Sequence, residues 1–253
     1  MISKTIRLKF FLQRKSTSIL LLTLTFIFII LAIKSSNEPI IAIFKNTPIE
    51  KYLLQFPNAN NFIWDISIGF ILSVIFYVIV VYFPERQKKK DISPFINNKC
   101  ESIIFSSYSL IQEIIRLSNL PYNYKNLTKE QLDEVCEAVN PKEHSFKFAN
   151  NIADIFESHF GYKIYNNWAR IVNEIDETTR YPYIDSGLLK RLYKLFNNFL
   201  RYTAKDLSVI DKLNNNSLKS WSSTFYDFYL ETKELRDYYI LYSGNEFKND
   251  PWK

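Results

Sequence analysis

Two histidines and two cysteines are the residues of this chain best suited to metal or nucleophilic chemistry, and their spacing serves neither. His144 and His159 lie in no HExxH pattern or other compact ligand set, and the acids beside them, Glu143 and Glu157, read as helix-surface carboxylates. Cys100 and Cys136 are too few and too far apart for a disulfide framework or a metal knuckle. Each sits in an apolar helical pattern, which predicts buried, reduced thiols. Only four glycines occur, scattered along the chain, so there is no P-loop, GxGxxG or GxSxG to cradle a phosphate or raise a nucleophile. No catalytic residue, metal site or cofactor is expected, and an enzyme would need a site dispersed along the sequence.

Binding chemistry is better represented. Lys190, Lys194, Arg201 and Lys205 recur at helical spacing, and a 100° step places them within about one-sixth of a turn of one another. Asn197 and Asn198 fall on the same stripe, which reads either as a solvated helix face or as a contact for a phosphate backbone or anionic lipid. Downstream, WSSTFYDFYLETKELRDYYILYSG holds more aromatic rings than one apolar stripe can hide. Tyr226, Tyr229 and Tyr238 fall off or at the edge of that stripe and are the first candidates for partner binding, the open alternatives for such rings being a partner, a membrane surface or another part of the domain.

The elements that must carry these residues divide by charge. Up to Lys90 the chain has 12 Lys+Arg against 4 Asp+Glu; from Asp91 onward it has 20 against 22. The pI near 9.0 therefore belongs to the N-terminal part, and direct nucleic-acid binding by the remainder is not expected. Residues 16–33 are eighteen without a charge, close to the thickness of a bilayer core. Residues 62–83 form a second apolar run with one acid, Asp65, near its start. A cleavable signal peptide is the rival reading of the first run, opposed by its long apolar core and by the absence of a small-x-small exit at Ala32 to Lys34.

Basic residues flank both runs on one side: residues 1–15 end in Arg14 and Lys15, and Arg86, Lys88, Lys89 and Lys90 follow the second run. The positive-inside rule then places both termini in the cytoplasm, with Arg14, Lys15, Arg86 and Lys88 to Lys90 as membrane anchors and residues 34–61 as a periplasmic loop. Within that loop, PIIAIF and PIEKYLLQF are apolar enough to lie on the outer interface. Gly69 and Ser73 make a small-xxx-small pair that admits close helix approach, either to the first span of the same chain or to a second copy. Pro84 lacks an N–H and crowds the preceding turn, which predicts a break or kink and a basic juxtamembrane hinge over residues 84–95, with Pro94 near the start of the next helix.

Beyond the hinge, residues 96–244 read as an α-helical domain, and no segment alternates as a strand would. Ile96 to Ile115 mark one amphipathic helix, ended at Leu120 and Pro121. Thr128 and Gln131 are a capping-box signature before a short helix closed by Pro141. Apolar spacing from Ile152 to Ile175 runs through Gly161 and predicts one long helix ending near TTRYPY. Another helix carries Leu188 to Leu200 with Phe196 and Phe199 on its apolar face, and a last one runs from Leu218 to a C-cap at Gly244, leaving residues 245–253 as a tail. The fold class is thus an all-α membrane protein: two N-terminal transmembrane helices and a cytoplasmic helical bundle.

This plan, with VVYFPERQKKK at the second exit, resembles the small two-span effector membrane proteins of bacterial anti-phage systems, including those paired with retron reverse transcriptases. The resemblance implies an inner-membrane protein held silent by a cytoplasmic protein or ribonucleoprotein partner. Release during infection would let it perturb the bilayer, with self-association through the spans, and arrest growth. The alternative is a non-toxic, membrane-anchored scaffold or sensor whose helical domain recruits a cytoplasmic partner.

Overall fold

The computed structural model describes residues 4–36, 61–143 and 159–243, with residues 4–15 as backbone only. The expectations for the periplasmic loop, His144, Glu157, Ile152, Phe156, Gly244, the tail and the side chains of Arg14 and Lys15 lie outside the described residues. The chain divides into two compact units, Met1–Lys90 and Asp91–Lys253. Helices account for its regular structure, and no strand occurs among the described residues.

In the first unit, α1 (Lys4–Ser35) packs against α2 (Asn61–Tyr77). Small residues make the contact: Ala32, Ser35 and Ser67 are buried, and the rings of Phe28 and Phe70 stack at 4.2 Å between centroids. α1 and the helical run that begins with α2 and continues to Ser118 are long and apolar enough to cross a membrane, and only 6% of the most apolar stretch of each is buried. Apolar side chains such as Leu20, Leu22, Phe26, Leu72 and Phe76 point outward instead, the reverse of a soluble core helix.

A π turn (Val78–Tyr82) follows α2, and α3 (Phe83–Ser118) begins directly after it. Of the break or kink expected at Pro84, the break is not present. Proline offers no N–H to the carbonyl four residues back, and its ring presses on that carbonyl. The widened turn, closed by the Phe83 N–H on the Val78 carbonyl, takes up the strain without ending the helix. Residues 84–95 are accordingly helical, and Pro94 lies inside α3 instead of near a helix start.

In the second unit, α3 buries Ile96, Cys100, Ile103, Ile104, Ile111, Ile114 and Ile115, the face its periodicity predicts. α4 (Lys129–Ala138) starts on the expected capping box: the Thr128 hydroxyl accepts from the Gln131 N–H at 3.3 Å and Gln131 Oε1 accepts from the Thr128 N–H at 3.0 Å. α5 (Phe160–Thr179) starts at Phe160, later than the spacing predicts. His159 caps it, with extended backbone and Nδ1 accepting from the Tyr162 N–H at 3.0 Å, while the Phe160 and Gly161 N–H groups donate to Glu143 and Pro141 carbonyls. Gly161 is where α5 meets α7, because an added Cβ there would lie 2.5 Å from the Leu207 carbonyl oxygen.

The single helix expected over residues 188–200 is two, α6 (Ser186–Phe196) and α7 (Leu200–Ser208). Asn197 Nδ2 donates to the Tyr193 carbonyl, and Asn198 Oδ1 accepts from the Leu200 N–H at 2.8 Å; such side chains compete with the backbone ladder. The break turns Phe199, expected in the apolar face, out to solvent. A 3₁₀ turn (Lys219–Trp221) leads into α8 (Ser222–Ser243), which packs on α4, α6 and α7. Its Phe228 meets Trp168 of α5 edge-on at 5.8 Å.

Candidate functional site

The basic residues of the predicted stripe start from the N-terminus of α6, where Asp185 Oδ1 accepts from the N–H groups of Gly187 and Leu188. Tyr238 of α8 donates its hydroxyl to the same carboxylate at 2.5 Å, and the Arg191 guanidinium lies 4.0 Å over the Tyr238 ring. Arg191 also approaches Glu234 at 3.4 Å, and Lys194 donates to Glu234 at 2.8 Å. Asn198 Nδ2 donates to Glu231 at 2.8 Å. This is an α6–α8 seam of charge-assisted contacts, and it absorbs two of the residues expected to face a partner, Lys194 and Tyr238.

Tyr229 is a correction of the same kind. It is buried, its ring meets Tyr124 edge-on at 5.0 Å, and its hydroxyl donates to the Lys125 carbonyl at 3.3 Å, so it belongs to the core and not to a surface. Tyr226 is half-buried and stacks on Tyr229 at 6.1 Å. The remaining cations, Lys190 on α6 and Arg201 and Lys205 on α7, are exposed. They sit on separate helices, so the one-stripe geometry that joined them does not hold, although the turn at Asn197 and Asn198 still brings the two helices end to end.

The seam makes a pH prediction. The hydrogen bond from Lys194, helped by the charges of Lys194, Arg191 and Lys190 and opposed by burial, holds Glu234 below its ordinary value of 4.5. Its stabilising contribution is therefore complete above 4.5 and is lost as pH falls through the lowered value. Glu231 is shifted up, first by burial and against the pull of Asn198 and Lys194, so its charged form costs stability at neutral pH and the cost vanishes in acid. Urea midpoints across the acid range are expected to show Glu234→Gln weakening the fold at neutral pH and matching it in acid, and Glu231→Gln strengthening it at neutral pH only.

Elsewhere, Cys100 and Cys136 are free and buried, as their apolar helical spacing predicts. Burial pushes the Cys100 and Cys136 thiols up to about 12, with help from Glu101 and Asp133, so neither is a nucleophile near neutral pH. Among the described residues no group of three His, Cys, Asp or Glu side chains is placed to hold a metal ion.

In the first unit, Gly69 and Ser73 are exposed on α2, and a Cβ built on Gly69 meets nothing within 4 Å. The pair is therefore not the surface that packs against α1; Ser67 is. Ser73 donates to the Gly69 carbonyl at 2.8 Å, and Thr23 and Thr25 likewise bond to carbonyls one turn back, so these hydroxyls satisfy themselves within their own helices. α1, the end of α2 and the π turn leave a groove of about 480 Å³ whose walls include Thr25, Phe26, Tyr77, Val78 and Tyr82.

Three residues that matter at the seam and its turn were missed by sequence reasoning: Arg191, Asp185 and Phe199. The signal that could have found them was local. Two adjacent asparagines after SGLLKRLYKLF mark a helix end, and moving the boundary there changes which side chains face outward. Comparison with protein-family models, curated proteins and solved structures returns no match.

Proposed function

We propose that the chain is a two-span inner-membrane effector of bacterial anti-phage defence, with both termini in the cytoplasm. A protein or ribonucleoprotein partner restrains the helical unit, and release lets the spans associate, perturb the bilayer and arrest growth. The observation that carries this reading is the exposed Gly69–Ser73 face of α2. It admits close approach of another helix and is left unused by α1.

Two further features support it. The apolar side chains of α1 and α2 face outward, where a hydrocarbon solvent accounts for them and water does not. Arg86, Lys88, Lys89 and Lys90 after the second apolar segment favour the cytoplasmic side. With Asp65 as the only charge in residues 16–33 and 62–83, the route to damage is packing defects and disrupted lipid, not a charged aqueous pore.

A scaffold reading draws support from the exposed α6–α7 turn in the other unit. Replacing residues 16–33 and 62–83 by an unrelated two-span anchor separates the two. Growth arrest on induction is expected to disappear in the swapped chain, whereas a scaffold would keep its activity.

A further inference from the structure

Residues 186–205 contain Lys190, Arg191, Lys194, Arg201 and Lys205 and no aspartate or glutamate, within a unit that is net acidic. Arg191 and Lys194 are engaged by Glu234. Lys190, Arg201 and Lys205 form no ion pair among the described residues. The same residues include three rings that the core does not use: Tyr193 is 48%, Phe199 73% and Tyr202 64% exposed. Phe199 and Tyr202 lie 6.2 Å apart between centroids, side by side at the start of α7. Asp206, a turn further along, is the one acid of that helix.

We infer that the α6–α7 turn docks on an anionic phospholipid surface, with Phe199 and Tyr202 in the interfacial layer and Lys190, Arg201 and Lys205 against lipid phosphates. The pairing of rings with unpaired cations is what such a surface selects. Aromatic rings settle at the headgroup level, and each Lys or Arg near the surface gains from the negative potential. Screening limits that attraction to about 10 Å; of the acids within that reach, Glu234 is engaged by Arg191 and Lys194 and Glu231 by Asn198, and Asp206 on the same helix offsets part of the charge of the three cations. A nucleic acid would run past the turn onto the acidic remainder and is the poorer match. The inference rests on the membrane reading above, since it needs a bilayer within reach of the chain.

The test uses the full chain reconstituted in vesicles, with an environment-sensitive fluorophore on Asn197→Cys; Cys100 and Cys136 are buried and escape labelling. Blue-shifted emission, quenched by headgroup spin labels, is expected in phosphatidylglycerol-rich vesicles and weakly or not at all in phosphatidylcholine. The double variant Arg201→Gln/Lys205→Gln is expected to lower the docked-to-free ratio about thirtyfold, and Phe199→Ser to remove the blue shift. All three side chains are exposed, so the fold does not depend on them. Water-like emission in both lipids overturns the inference. So does a response that survives these substitutions, or one that appears only on adding RNA or a soluble protein. Resistance to alkaline carbonate extraction scores insertion separately: a chain that inserts while the turn stays in water overturns the docking surface and leaves the membrane reading standing.

Discussion

Gly161→Val is expected to cost about 3 kcal/mol of folding stability and Gly161→Ala about 1–2 kcal/mol. An alanine would ordinarily help a helix by up to about 1 kcal/mol, through propensity and a stiffer unfolded chain. Here the new Cβ would sit 2.5 Å from the Leu207 carbonyl oxygen, 3.2 Å from His159 Nδ1 and 3.3 Å from Ile210 Cγ2. The first of these atoms is backbone in α7, so relief requires the whole helix to shift, and α7 is held in turn by Leu200, Ala204 and Leu207 in the core. Overpacking therefore outweighs propensity. Denaturant unfolding followed by Trp168 fluorescence measures it, and a more stable Gly161→Ala would show that α5 and α7 are not in close contact there.

Gly69→Ile is expected to weaken span self-association at least about tenfold and to remove growth arrest, without altering insertion. A Cβ on Gly69 points into open space, so isoleucine leaves the α1–α2 pair intact, and its added bulk is apolar and suited to lipid. What it blocks is backbone approach by another helix on the Gly69–Ser73 face. Cross-linking in membranes and growth after induction report the two effects separately. Lost association with undiminished arrest would detach toxicity from this face.

These two sites differ in how far the sequence announced them. The apolar face of α3 and the Thr128 capping box were legible because periodicity and a local hydrogen-bond pattern determine them within one element. Both apolar segments were legible for the same reason. That α1 leaves Gly69 uncovered was not, because a small-xxx-small pair says that a helix can approach and not which one.

The errors share a cause. Periodicity does not register the His159 cap that starts α5, and read through Asn197–Asn198 it joined α6 and α7 and kept Phe199 in an apolar face that ends three residues earlier. Tyr229 was misplaced because α8 is covered by α4, α6 and α7 on more than one side, which a single-stripe picture does not allow. Pro84 was read correctly as an obstacle. Its outcome, a π turn in place of a break, depends on whether the preceding turn can widen.

The central claim is that this chain acts through its apolar helices on the membrane itself. Membrane potential, followed with a voltage-sensitive dye from the moment of induced expression of the full chain, tests it most directly. Depolarisation that precedes growth arrest, and that fails to appear with Gly69→Ile at equal membrane abundance, is the expected result. A normal potential at high expression of the inserted, unrestrained protein would contradict it.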